Sequence, residues 1–259
     1  MSWQRKAGAI IVALVALAAV VSLVWMPYDP LQTEVVARLQ GSSPAHWMGT
    51  DQFGRDIASR VMDGARLTLT VAVGAVGLSG LIGVPLGIWA GMRRGASRVV
   101  MAGADLLLAF PALLLAIVFT AVFGASIWIV VLAIGIAGIP AFVRVARAGT
   151  MQVMQRDYIL AARIAKVSGP AIAWRHVLPN IWPLVLTQVS VAVALAILAE
   201  AGLSFLGLGA PAPYASWGRM LQASQPYLAT SPHLALWPGA AIALTVLGFN
   251  LLGNADDRR

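Results

Sequence analysis

Residues 67–91 read LTLTVAVGAVGLSGLIGVPLGIWAG, and no charged residue falls between Arg66 and Arg93. An α-helix rises about 1.5 Å per residue, so a run of this length covers the roughly 30 Å of a bilayer's hydrocarbon core. It is too long and too evenly apolar to be one stripe of a helix in water. Five further windows have the same character, at about 7–26, 99–123, 126–148, 181–203 and 236–253. Together they predict an all-α polytopic membrane protein of about six transmembrane helices.

Composition agrees. Of 259 residues, 59% are hydrophobic and 11% charged, and the mean hydropathy is +0.82, outside the balance of a water-soluble domain. There is no cysteine, which excludes disulfides, thiolate metal sites and a thiol nucleophile. The net charge of +8 does not argue for nucleic acid, because the basic residues sit in connectors between apolar runs instead of forming one face. With a cytoplasmic amino terminus, thirteen of the 18 Lys and Arg residues fall inside, Arg258 and Arg259 among them. Arg38, Arg55, Arg60, Arg66 and Arg219 are the five outside. This asymmetry predicts both termini inside. The first window follows Arg5 and Lys6 and continues through Val24 and Trp25, too long for a signal-peptide core, so it is expected to be an uncleaved first helix. No internal repeat stands out. The chain reads as residues 1–66, a first helix and outer loop, followed by a membrane core over 67–259 with an inner loop at 149–180.

The outer loop opens on Pro27-Tyr28-Asp29-Pro30, whose prolines stop the first helix. His46-Trp47-Met48-Gly49-Thr50-Asp51-Gln52-Phe53-Gly54-Arg55-Asp56 has the composition of a tight, hydrogen-bonded turn. Asp56 is placed to cap a short surface helix with Ile57, Val61 and Ala65 inward and Ser59, Arg60 and Asp63 toward water. A chemical reading makes His46, Asp51 and Asp56 metal ligands or an acid/base set. The plainer reading has both aspartates bonding backbone amides and Arg55 pairing with a neighbouring acid.

The inner loop is basic and interrupted by Gly169-Pro170, which predicts short surface helices. Asp157-Tyr158-Ile159-Leu160-Ala161-Ala162-Arg163-Ile164-Ala165 forms a helical stretch whose small residues permit close approach by another protein. Arg175 and His176 are candidates to bond helix-end carbonyls. Within the apolar windows Asp105 and Glu200 are the only acidic residues, each expected near a membrane interface with snorkelling or pairing, and each a default candidate for substrate contact or gating. Phe110-Pro111 predicts a kink. Trp25, Trp89 and Trp237 read as interfacial anchors. The chain has no Gly-x-x-x-x-Gly-Lys-[Ser/Thr] phosphate cradle.

The run His46 to Asp56 followed by Gly64-Ala65-Arg66-Leu67-Thr68-Leu69 resembles the outer loop and second helix of the C-type permease subunits of peptide and nickel ATP-binding-cassette (ABC) importers. The stretch with Ala161, Ala162 and Arg163, followed by Arg175-His176-Val177-Leu178-Pro179-Asn180, resembles their coupling loop, the EAA motif. Glu200-Ala201-Gly202-Leu203-Ser204-Phe205-Leu206-Gly207-Leu208-Gly209, Trp217-Gly218-Arg219-Met220-Leu221 and Phe249-Asn250-Leu251-Leu252-Gly253 extend the likeness along nearly the whole chain. It departs at Leu160, where a glutamate is frequent, at Lys166, where a glycine is frequent, and in a shortened tail after Gly253.

The resemblance implies the type I importer permease architecture, a bacterial inner-membrane location and a non-enzymatic subunit without cofactor. A homologous second permease subunit would complete the pathway, and two partner subunits would bind ATP and Mg. An extracytoplasmic solute-binding protein would deliver cargo to residues 40–56 and 205–232. Residues Tyr158 to Val167 would dock on the ATPase. The cargo implied is a short peptide, with nickel as the alternative and metallophores or glutathione within the same family. Two other readings stand beside it: a secondary transporter using Asp105 or Glu200 for ion coupling, and a membrane metalloenzyme using His46, Asp51 and Asp56.

Overall fold

A computed structural model describes residues 3–209, 211 and 213–253 of the chain. The tail from Asn254 to Arg259, with the two inside arginines and the departure expected there, lies outside the described residues. The elements are α1 (Trp3–Val21), α2 (Ile57–Met92), α3 (Arg94–Ala109), α4 (Ala112–Phe123), α5 (Ile127–Val153), α6 (Asp157–Ile164), α7 (Gly169–Ile172), α8 (Leu178–Phe205), α9 (Trp217–Ser224) and α10 (His233–Gly253). Among the described residues the only β feature is an isolated bridge between Thr50 and Asp56. Five helices are long and apolar enough to cross a membrane, or six if α3 and α4 count as one broken span.

Three expectations need correction. The turn of helix after Asp56 is not a separate surface helix, since Ile57–Met92 is one helix of 36 residues, about 54 Å long. Nothing between Ile57 and Leu67 breaks a backbone hydrogen bond, and the polar residues find partners inside: Ser59 and Arg60 are buried, not turned to water. Second, Gly169-Pro170 does not interrupt the inner loop but opens a helix. Proline occupies the first turn of α7, where its missing N–H costs nothing. A π-helical turn at Ala173–Val177 then joins α7 to α8, giving one continuous span from Gly169 to Phe205. Third, the kink at Phe110-Pro111 is a full break: α3 and α4 meet at 79°. Phe110 and Pro111 are extended, with ψ of 122° and 129°.

The centre of the bundle is the seam between α2 and α5, lined by small residues one turn apart on α2. Ser79 donates to the Gly135 carbonyl at 2.6 Å. A Cβ on Gly83 would lie 2.6 Å from Phe142 Cβ, one on Gly87 would lie 2.6 Å from the Val143 carbonyl oxygen, and one on Gly91 would lie 2.5 Å from Thr150 Cβ. Lipid tails are as apolar as side chains, so membrane helices are held by close backbone approach and interhelical hydrogen bonds, which small residues at this spacing provide. The same device fixes α1 on α10, where a Cβ on Gly8 would lie 2.7 Å from the Gly248 carbonyl oxygen.

The connectors gather at two ends. At the capped end, segment 22–56 and α9 cover the end turns of α2, α8 and α10. At the basic end lie Arg93, Arg94, Arg98, Arg156, Arg163, Lys166 and Arg175 with α6 and α7. Trp25 and Trp89 are about half exposed near span ends, as anchors should be. Trp237 is not an anchor of that kind, because its indole nitrogen is enclosed without a hydrogen-bond partner.

The seam predicts a contrast between two glycines of α2. Alanine at an exposed helix glycine is neutral to stabilising by up to about 1 kcal/mol, and a Cβ on Gly77 meets nothing within 4 Å. Gly77→Ala should therefore leave the thermal unfolding midpoint in detergent unchanged or raised, whereas Gly87→Ala should lower it, overpacking costing about 1–3 kcal/mol.

Candidate functional site

The capped end is a hydrogen-bonded plug. Asp51 accepts from the backbone N–H groups of Phe53 at 2.8 Å and Arg55 at 3.0 Å, and its second oxygen meets Arg55 Nε at 2.7 Å and Arg60 Nε at 3.5 Å. Asp56 accepts from the Ser59 N–H at 2.8 Å, capping α2, and its other oxygen meets His46 Nδ1 at 3.0 Å. The aspartates thus bond amides and Arg55 pairs with an acid. Thr50 donates to the Ala37 carbonyl, and its hydroxyl also accepts from the Gln40 N–H. Gly49 and Gly54 have φ of +81° and +76°, the left-handed region that glycine enters without steric cost. At Gly54 a Cβ would also collide with the Glu34 carbonyl. His46 and Asp56 are spent on each other and Asp51 on two arginines, and no three His, Cys, Asp or Glu side chains converge among the described residues. The candidate ligand trio is therefore divided between the His46–Asp56 pair and the cluster of Asp51 with Arg55 and Arg60.

This plug is fastened to the spans. Arg60 donates to the Pro30 carbonyl at 3.0 Å, and Ser59 accepts from the Tyr28 N–H at 3.0 Å. Trp217 at the start of α9 donates to the Val61 carbonyl at 2.9 Å, its ring lying over Gly64, where a Cβ would come within 2.8 Å. Glu200 does not snorkel to an interface. It is 1% exposed, accepting from Ser204 at 2.6 Å and Thr68 at 3.2 Å, with Ser216 as a third hydroxyl partner. Those hydroxyls stand in for water and tie α2, α8 and the start of α9 together at one carboxyl group. Beside the plug is an open concavity of about 970 Å³ bordered by Tyr28, Asp29, Asp63, Arg66 and Tyr214.

Asp105 is exposed and forms an ion pair with Arg144 at 2.7 Å, the pairing expected for a charge in this position. It lies on α3, and Glu200 lies on α8 against α2, so the two charges do not share a site.

At the basic end, α6 rests on the spans through Ile159 and Ala162, both buried, while Tyr158, Leu160 and Ile164 are 43%, 59% and 74% exposed. His176 does not bond a helix-end carbonyl through its ring. The ring lies 6.2 Å from that of Tyr158, and the His176 carbonyl accepts from Asn180 Nδ2 at 2.6 Å. The helix ends in a Schellman turn. The Val167 N–H reaches back to the Ala162 carbonyl and the Lys166 N–H to the Arg163 carbonyl, each at 3.0 Å. That turn needs a left-handed residue at its centre, and Lys166 supplies it with φ of +56°. The helix therefore terminates here as a glycine would terminate it, at a steric cost.

Lysine in the left-handed region costs about 1 kcal/mol relative to glycine. Lys166→Gly should accordingly slow amide hydrogen exchange at residues 166 and 167 by about fivefold at 25 °C, with residues of α10 unchanged.

Comparison with known proteins places the chain in a family. Residues 83–255 match the family described as "Binding-protein-dependent transport system inner membrane component". The glutathione transport system permease protein of Pectobacterium atrosepticum is 40% identical over 96% of this chain and 83% of its own length. The dipeptide transport system permease protein of Alkalihalophilus pseudofirmus is 38% identical over 95% and 82%. The nickel transport system permease protein of Escherichia coli is 34% identical over 98% and 92%. The chain belongs to the binding-protein-dependent transport system inner membrane component family and is a multi-pass inner-membrane permease subunit of an ABC importer.

Proposed function

We propose that this subunit forms half of the translocation pathway of an importer of di- or oligopeptides, paired with a homologous second permease subunit. Two partner subunits bind and hydrolyse MgATP, and this chain carries neither cofactor nor active site. The observation that carries the coupling assignment is the face of α6. Tyr158, Leu160 and Ile164 project apolar surface at the basic end while Ile159 and Ala162 hold the helix to the spans. Exposed apolar side chains flanked by charge mark a contact for another protein. The basic end is then cytoplasmic, by the excess of Lys and Arg there, and both termini lie on that side. The capped end faces outward and receives the solute-binding protein over residues 40–56 and 205–232.

The dipeptide and glutathione permeases among the relatives favour an amide-bearing solute. Nickel is the second reading. The nickel permease relative is matched over 92% of its length, the fullest agreement in overall size of the three compared.

Two measurements test the proposal. Leu160→Asp combined with Ile164→Asp should weaken capture of the ATP-binding subunits by at least tenfold in detergent while leaving the spans assembled, because neither side chain is buried. Capture at the unaltered level would remove α6 from the interface. In proteoliposomes holding the complete complex and its solute-binding protein, ATP should drive accumulation of a labelled dipeptide. ATP-driven accumulation of nickel without peptide uptake would replace the peptide assignment with the alternative.

A further inference from the structure

Polar side chains along the spans mostly satisfy themselves on their own helix. Thr120 donates to the Ala116 carbonyl, Thr187 to Pro183, Ser190 to Leu186 and Thr245 to Ala241. Gln188 on α8 is different. Its carboxamide has two N–H donors and an acceptor oxygen, yet it hydrogen-bonds no other described residue. At 1.5 Å per residue it lies roughly 15 Å along α8 from Leu178 and roughly 25 Å from Phe205, well inside the span. An amide left unbonded in hydrocarbon costs several kcal/mol, and polar side chains at such depth face a bundle interior or a water-filled cavity.

Gln188 lines a partly open cavity of about 190 Å³ bordered by α2, α4, α5 and α8. The other lining residues are small or apolar, Leu113, Gly138, Ala192 and Ala199 among them, and the hydroxyl of Ser79 is already given to the Gly135 and Ala75 carbonyls. A second observation concerns the same face. Ala112 and Leu113, the first residues of α4, line the cavity, so it abuts the break at Phe110-Pro111. Phe110 is 56% exposed there. Non-helical backbone at membrane depth is tolerated only where protein buries it or where it borders water.

We infer that the cavity at Gln188 is a transit site on the solute path, in which the carboxamide exchanges hydrogen bonds with the backbone amides of a passing peptide. The group is matched to that cargo: its oxygen accepts from a peptide N–H and its amino group donates to a peptide carbonyl. A bare divalent cation would gain little from one neutral amide. The small residues around it leave room for varied side chains. The inference rests on the importer reading and on its peptide assignment.

The chain has no cysteine, so Gln188→Cys introduces a single thiol. The test uses the complete complex in proteoliposomes, with cysteines of the partner subunits replaced. A membrane-impermeant methanethiosulfonate reagent should modify the thiol of Gln188→Cys at least tenfold faster than that of Leu186→Cys, a position 47% exposed on the outer face of the same helix. Saturating dipeptide with the solute-binding protein should slow the reaction at position 188 alone. Gln188→Leu should reduce dipeptides imported per ATP hydrolysed by at least tenfold, and Gln188→Asn should recover part of that loss. Modification at 188 no faster than at 186 would place the residue against lipid or the second permease subunit and overturn the inference. So would an unchanged import ratio for Gln188→Leu. If the unsubstituted complex imports no peptide, the substrate assignment fails separately, and the labelling contrast still decides whether the cavity is open to water.

Discussion

The close approach of α2 to α5 is the constraint from which the remaining packing follows. With Ser79, Gly83, Gly87 and Gly91 on one line of α2, the two backbones meet nearly atom to atom. No hydrophobic force acts between helices in lipid, so a seam of this kind must supply the cohesion that a water-soluble core draws from burial. Once the pair is fixed, α8 packs against both partners and α10 against α8, and α1 is added at the rim. Four helices then surround a small-residue cavity without filling it, because the residues that allow close approach along the seam leave little side-chain volume on the neighbouring surface.

The number of spans could be read from the sequence because it depends on run length alone, whereas the connectors at both ends proved shorter than read. The cap of α2 was legible for a similar reason: Asp56 stands immediately before an apolar stretch and bonds the amide of Ser59. What escaped the reading was tertiary. Ser59 and Arg60 have the polarity of a surface turn, and only the return of Tyr28 and Pro30 beneath them, distant in sequence, explains their burial. Gly169-Pro170 has the composition of a break and serves as a helix start. Glu200 sits near a helix end, where a charge ordinarily finds water, and the hydroxyls that enclose it come from α2, α8 and the start of α9. The four-residue spacing of Gly83, Gly87 and Gly91 was a signal available in the sequence, and it marks the close approach of α2 to α5.

The two ends of the subunit are chemically unlike. The plug is rich in hydrogen bonds that fix backbone against backbone, with two glycines in a conformation other residues avoid. The basic end is held by few contacts and displays its apolar side chains. A rigid surface suits recognition of a preformed partner, and a lightly held helix suits a contact that changes during a cycle. Lys166, in the left-handed region, adds strain at that second end.

The length of α2 has a mechanical consequence. A rod of about 54 Å turning about its centre by about 10° moves each tip by about 5 Å in opposite directions, so the plug and the neighbourhood of α6 are displaced together without any relay of side-chain rearrangements. Pro85 in α2 and Pro183 in α8 each remove one rung from the backbone ladder. Of the two, Pro85 is where the α2 lever can flex, absorbing part of a push at one tip before it reaches the other.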